Sequence, residues 1–148
     1  MFFSRALIAF LFLVAEVSTL QTPTIEKRSE RTSAPSGCLT VGTGGTYTTF
    51  GDALAALGSS TDAACIYLAS GTYEEQNTID YPGSLIVYGE TTYVESYKEN
   101  TVTITYSQTS DEAADLQASA TIQVVSSGVS FYNINVVNGY GAGTQAVA

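Results

Sequence analysis

Histidine and tryptophan are absent from the 148 residues, methionine occurs once, and lysine and arginine together number five. Without histidine there is no Ser-His-Asp triad. With two cysteines and no histidine, no zinc site of the ordinary ligand type can be assembled. Positive charge is scarcer still in the body of the chain. After Arg28 only Arg31 and Lys98 are basic, against twelve carboxylates, which leaves that part near −10. Such a field makes nucleic acid and anionic membranes poor partners, and repels an acidic polymer unless basic residues come from elsewhere. The apolar run from Ala6 to Ala15 is too short to span a bilayer. Gly42-Thr43-Gly44-Gly45 is glycine-rich but lacks the lysine and the strand-loop-helix setting of a phosphate cradle.

What is present divides the chain into three parts. Arg5 followed by that apolar run at the extreme terminus reads as a secretory signal over 1–19, cleaved after Thr19 with Val17 two places earlier; the alternative is a buried core helix. Residues 20–36 are rich in Thr, Ser, Pro and charge and read as a pro-segment or linker. Its Lys27-Arg28 pair resembles a dibasic processing site that would make Ser29 the mature start, though such a pair also arises in a solvated linker without meaning. Residues 37–148 form the folded part. In a secreted chain Cys38 and Cys65 most simply make one disulfide, with two buried thiols as the alternative. No Asn-x-Ser/Thr sequon occurs.

Thr49 to Gly58 predicts the one clear helix. Thr49 is placed to cap it, Asp52 lies in the first turn, Phe50, Ala53, Leu54 and Leu57 share a face, and Gly58 can end it. Strands are predicted at Ala64 to Leu68, Ser84 to Tyr88, Thr101 to Tyr106, Thr121 to Val125 and Val129 to Val137. Their centres Ile66, Ile86, Ile104 and Ile122 recur every 18 to 20 residues, longer than a hairpin and close to one coil of a parallel β-helix. In the last run Val129 and Phe131 keep one phase while Ile134 and Val136 keep the other, so a corner is expected at Tyr132-Asn133. The fold class is therefore all-β, a parallel β-helix of N-terminal coils with one capping helix; a jelly roll or Ig-like sandwich remains the alternative. The alternation begun after Asn138-Gly139-Tyr140 has barely started by Ala148, and no second cap is legible. The column is expected to be incomplete at the C-terminus.

Few side chains suggest chemistry unaided. Glu74 and Glu75 are adjacent and fall on opposite faces of a strand, so they are no catalytic pair. Asp111, Glu112 and Asp115 read as a solvated loop, with calcium binding as the alternative. The ten tyrosines suit a carbohydrate-facing surface, and suit plain strand packing better.

Three segments occur in a telling order: Val41-Gly42-Thr43-Gly44-Gly45-Thr46-Tyr47 running to Ala53, Ile66-Tyr67-Leu68-Ala69-Ser70-Gly71-Thr72-Tyr73-Glu74-Glu75 with Ile79 following, and Asn138-Gly139-Tyr140 through Gln145-Ala146-Val147-Ala148. Over 37–148 they resemble the pectin methylesterases. The connecting Tyr88-Gly89-Glu90-Thr91-Thr92 and Asn100 to Thr105 look like the fungal secreted branch.

The resemblance implies a right-handed parallel β-helix that hydrolyses the C6 methyl ester of galacturonan, leaving pectate and methanol, with no cofactor and no metal. In that family one aspartate attacks the ester carbonyl, a second donates and then accepts a proton, a glutamine steadies the oxyanion and an arginine orients the nucleophile. Gln145 matches the cleft-lining, substrate-binding glutamine of the family's Gln-Ala-Val-Ala-Leu motif. The position that carries a substrate-contacting threonine in plant members corresponds to Leu116, ahead of Ser119-Ala120-Thr121. Both aspartates and the arginine are expected beyond Ala148, so no catalytic residue is assigned and the chain alone is expected to be inactive. The implied partner is methylated homogalacturonan and the implied setting is extracellular, as a monomer. A galacturonan-binding module without turnover is the alternative; an orphaned product that does not fold, and a pectate lyase, were the other readings of the residues.

Overall fold

The computed structural model describes residues 30–141. The signal over 1–19, the Lys27-Arg28 pair and Gln145 lie outside the described residues. Nine strands and one helix follow in the order β1 (Leu39–Val41), α1 (Phe50–Leu57), β2 (Ala64–Leu68), β3 (Gly71–Glu74), β4 (Asn77–Ile79), β5 (Leu85–Gly89), β6 (Val102–Tyr106), β7 (Ile122–Val124), β8 (Val129–Tyr132) and β9 (Ile134–Asn138). They pair in parallel throughout. Sheet I has the order β1-β2-β5-β8, sheet II β3-β6-β9 and sheet III β4-β7. From β2 onward the chain therefore visits sheets I, II and III in strict rotation, each visit laying a strand beside the previous one.

Of the three 18–20-residue intervals only the first measures a coil, to within one residue. Ile66 and Ile86 both lie in sheet I, one register step apart, since Cys65 faces Ile86; Ile104 lies in sheet II and Ile122 in sheet III. Repeat lengths vary because the corners differ in size. Ala64 faces Leu85, whereas Leu85 faces Val129 and Val102 faces Ile134. The expected corner is present: β8 ends at Tyr132, β9 begins at Ile134, and Asn133 between them has φ 57°, a left-handed conformation that asparagine tolerates better than most residues.

The core lies between the sheets. Ile66 and Val87 from sheet I, Tyr73, Val102 and Ile104 from sheet II and Ile79 from sheet III form one buried cluster. Alternation does the rest, because each short strand turns every second side chain inward. On the last strands Ile122, Val129, Phe131 and Ile134 are only half-buried against that cluster.

Helix α1 packs against β1, β2 and β4 and sends Phe50 and Ala53 into the core. Its ends follow the sequence: Thr49 Oγ1 accepts from Asp52 N at 3.0 Å, and Gly58, with φ 60°, donates its amide to Ala55 O at 3.2 Å. Cys38 and Cys65 are bonded sulfur to sulfur, with Cα atoms 4.7 Å apart. The register explains it. Leu39 faces Ile66, so the preceding residues on the two parallel strands lie side by side. The glycine-rich Gly42–Gly45 segment is a tight turn that returns the chain so that Tyr47 N reaches Thr40 O at 2.9 Å. Gly42 has φ +91° and no room for a Cβ beside the Tyr73 hydroxyl.

Part of the expected linker is tied down. Arg31 exchanges backbone hydrogen bonds with Thr91, at 2.8 and 3.0 Å. Its guanidinium lies 4.5 Å over the Tyr88 ring and donates to Gly89 O and Asn133 Oδ1. Tyr88 in turn stacks on Tyr132, one strand further along sheet I, with centroids 5.5 Å apart.

Candidate functional site: an uncharged trough beside sheet III

Sheet III turns Asn77 and Ile79 inward, so Thr78 and its register partner Gln123 face outward. Beside them stands the 15-residue connection from β6 to β7. It is folded on itself. Thr109 N and Oγ1 donate to Glu112 Oε2, Glu112 N donates back to Thr109 Oγ1, and Ala118 N donates to Asp115 Oδ1 at 2.8 Å. Thr109-x-x-Glu112 is a capping box without a long helix to cap. Thr109, Ser119 and Thr121 are buried beneath the loop.

Between loop and sheet runs a trough. One stretch, of about 190 Å³, is lined by Gln76, Thr78, Gln117, Ala118, Ala120 and Gln123. The next, of about 330 Å³, shares Gln117, Ala120 and Gln123 and adds Leu116, Ile122, Val124 and Val125. Among the described residues no charged side chain lines either stretch. One end offers amides and a hydroxyl; the other offers methyl groups, with Leu116 37%, Val124 44% and Val125 61% exposed. Amides, a hydroxyl and methyl groups together suit an uncharged ligand that carries both hydroxyl and apolar groups.

Leu116 is thus part of a concave surface. Gln145, outside the described residues, is not placed. Two further clefts have different surroundings: one of about 340 Å³ lies between α1 and β4, the other of about 390 Å³ beside Glu74 and Tyr106 on sheet II.

The acids have other work. Glu75, on the loop after β3, accepts from Phe50 N at 2.9 Å, Gly51 N at 2.8 Å and Asn77 Nδ2 at 3.2 Å, clamping the start of α1. Glu74 is exposed. Glu90 accepts from Ser70 N at 2.9 Å. Among the described residues no three of His, Cys, Asp or Glu gather where they could hold a metal ion.

None of the ten tyrosines lines the trough, and their burial varies widely. Tyr67, Tyr73 and Tyr81 are buried; Tyr93, Tyr97, Tyr132 and Tyr140 are exposed. Burial first, then the neighbouring Glu90 carboxylate, push the Tyr67 phenol from 10.0 to about 12. Its buried hydroxyl has no partner in hydrogen-bond geometry, although Glu90 is near enough to act on it. Tyr73 is also raised, by burial and then by Glu75 and Glu90; its hydroxyl donates to Ala69 O at 2.8 Å.

No protein-family model matches the chain. Individual relatives do. A probable pectinesterase A of Aspergillus niger is 68% identical over 124 residues, covering 84% of this chain and 38% of that protein. Pectinesterase A of Emericella nidulans is 62% identical over 122 residues, covering 82% of this chain and 38% of the relative. Among solved structures, the pectin methylesterase from Aspergillus niger superimposes with a TM-score of 0.79 at 67% identity, covering 80% of this chain and 40% of that one. The chain spans about two fifths of the length of these relatives. Over the part of them that it spans, the chain is similar throughout to fungal pectin methylesterases.

Proposed function

We propose that this chain is the N-terminal portion of a pectin methylesterase and that its trough beside sheet III is a contact surface for methyl-esterified galacturonan. The observation that carries the reading is the 68% identity to a probable pectinesterase over 124 residues. The trough supports it, because the position that carries a substrate-contacting threonine in plant members, here occupied by Leu116, lines it. Rotation through the three sheets supports the finer fold reading, a right-handed parallel β-helix.

The chemistry proposed for the whole protein is that of its family. A carboxylate nucleophile splits ester hydrolysis into two acyl transfers, amide donors stabilise the charge that develops on oxygen, and Gln145 helps to bind the substrate. The 148 residues offer no counterpart for the family's two aspartates and arginine. Glu75, Glu90, Glu112 and Asp115 are engaged with backbone amides. We propose that this polypeptide on its own binds without turnover, needs no metal or cofactor, and acts as a monomer. Residues 1–19 direct secretion, 20–36 form a pro-segment or linker, and 37–148 form the β-helix portion. Among the described residues no helix is long and apolar enough to cross a membrane.

Methanol assay on methylated pectin tests the reading. The purified chain is expected to release none above a buffer blank while retaining saturable pectin binding. Release at the rate of a full-length pectinesterase overturns the proposed inactivity, and absence of pectin binding overturns the proposed contact surface.

A further inference from the structure

The loop beside the trough is fastened at its neck by one side chain from another sheet. Asn138, the last residue of β9, donates through Nδ2 to Gln108 O at 2.8 Å and to Ser119 O at 3.1 Å, the two feet of the loop. Its Oδ1 accepts from Gln108 N at 3.4 Å and from Tyr140 N at 3.1 Å. Gln76 reinforces the same neck, with Nε2 directed at Gln108 Oε1, Ala118 O and Ala120 O. Gly139 permits the close pass, since a Cβ there would lie 2.7 Å from Ser107 Oγ.

We infer that Asn138 is a positioning residue that holds the loop carrying Leu116 and Gln117 against sheet III and so shapes the trough for esterified galacturonan. The inference rests on the proposed function for the identity of the ligand. Only a primary amide of this length supplies two N–H donors to two carbonyls and an oxygen to two backbone amides. Aspartate has the same shape but turns an anion toward the carbonyl oxygens of Gln108 and Ser119. Asn138 also begins the turn that leads, seven residues later, to Gln145.

The test compares the 148-residue chain with Asn138→Asp, by hydrogen exchange and by calorimetric titration with a fully methyl-esterified hexagalacturonide. In the variant, exchange over 107–120 is expected to rise about tenfold and affinity to fall about fivefold or more, as loss of one or two buried hydrogen bonds implies. Exchange in β2 and β5 stays unchanged, which separates positioning from general destabilisation. Should Asn138→Asp lack a cooperative urea transition, Asn138→Ser, which keeps one donor, carries the same comparison. Unchanged loop exchange, or a loosened loop with wild-type affinity, overturns the inference. A wild-type chain that binds no galacturonan overturns the ligand reading and this inference with it, an outcome distinct from wild type and variant binding equally.

Discussion

Replacing Glu75 tests how helix α1 is joined to the sheets. A helix start leaves orphan amides, and here those of Phe50 and Gly51 go to the Glu75 carboxylate, while that of Asp52 goes to Thr49 Oγ1. The acceptor is 24 to 25 residues away in sequence, so the bond is tertiary. Hydrogen bonds to a charged group contribute about 1.5–3 kcal/mol each, and an anion at a helix start adds about 0.3–1 kcal/mol. Glu75 is half-exposed, which favours the lower end of each range. Glu75→Gln keeps one acceptor oxygen, turns an NH₂ group toward the second amide and removes the charge, for a loss of about 2 kcal/mol; Glu75→Ala loses about 3 kcal/mol. With a urea slope of about 1.5 kcal/mol per M, the glutamine variant unfolds at a midpoint about 1.3 M lower. Its neighbour Glu74 is exposed and makes a matched control, with Glu74→Gln expected within about 0.5 kcal/mol of wild type. Urea titration followed by far-UV circular dichroism reads both. Equal midpoints for the two variants would refute the clamp.

Reduction of Cys38–Cys65, or Cys65→Ala with Cys38→Ala, opens a loop of sequence separation 27 and is expected to cost about 3.5 kcal/mol on the chain-entropy estimate, read as a lowered urea midpoint. Tyr67, whose pKa rises from 10.0 to about 12 on folding, gives stability that is complete below pH 10 and is lost as pH climbs toward 12. Phenolate absorbance should show a late-titrating component that Tyr67→Phe diminishes, Tyr73 supplying what remains, and an undiminished late component in that variant would contradict the assignment. Arg31→Ala gives up the Tyr88 face and two hydrogen bonds and is expected to cost about 2 kcal/mol; Arg31→Lys restores less than half, lacking the planar fork. Thermal melting of the three proteins distinguishes this clasp from a solvated tail.

Local signals in the sequence were the readable ones. Helix α1 was legible to its caps because Thr49, Asp52 and Gly58 act within one turn of the backbone they satisfy. The corner at Asn133 was legible because a one-residue slip exchanges the two faces of a strand, and Val129/Phe131 against Ile134/Val136 records that slip. Strands β1, β3 and β4, of three or four residues, were not, since one or two inward side chains make no period. Even spacing of isoleucines suggested coils for the wrong reason. Two of its three intervals reflect passage from sheet to sheet and only Ile66 to Ile86 spans a coil, whereas true repeat lengths follow corner sizes that hydrophobic pattern does not encode.

The site was less legible. Leu116 came only from likeness to a family; by itself it is a leucine between polar residues in an acidic loop. Gln76 and Asn138 bond mainly to backbone carbonyls and amides far away in sequence, and such bonds leave no trace in spacing. One signal was available: Thr109-x-x-Glu112 announces an ordered turn where Asp111, Glu112 and Asp115 suggest only charge. Glu75 was excluded from catalysis on alternation alone, and its part in capping α1 needed the third dimension.

The most direct test of the central claim is a single NMR titration of the isotope-labelled 148-residue chain with methyl-esterified hexagalacturonide, following the side-chain amides of Gln76, Gln117 and Gln123 together with the methanol proton signal. The account predicts saturable shifts confined to these amides and to backbone signals of 116–125, with no methanol appearing over hours. Shifts centred elsewhere, no shifts at millimolar oligosaccharide, or steady methanol release would contradict it.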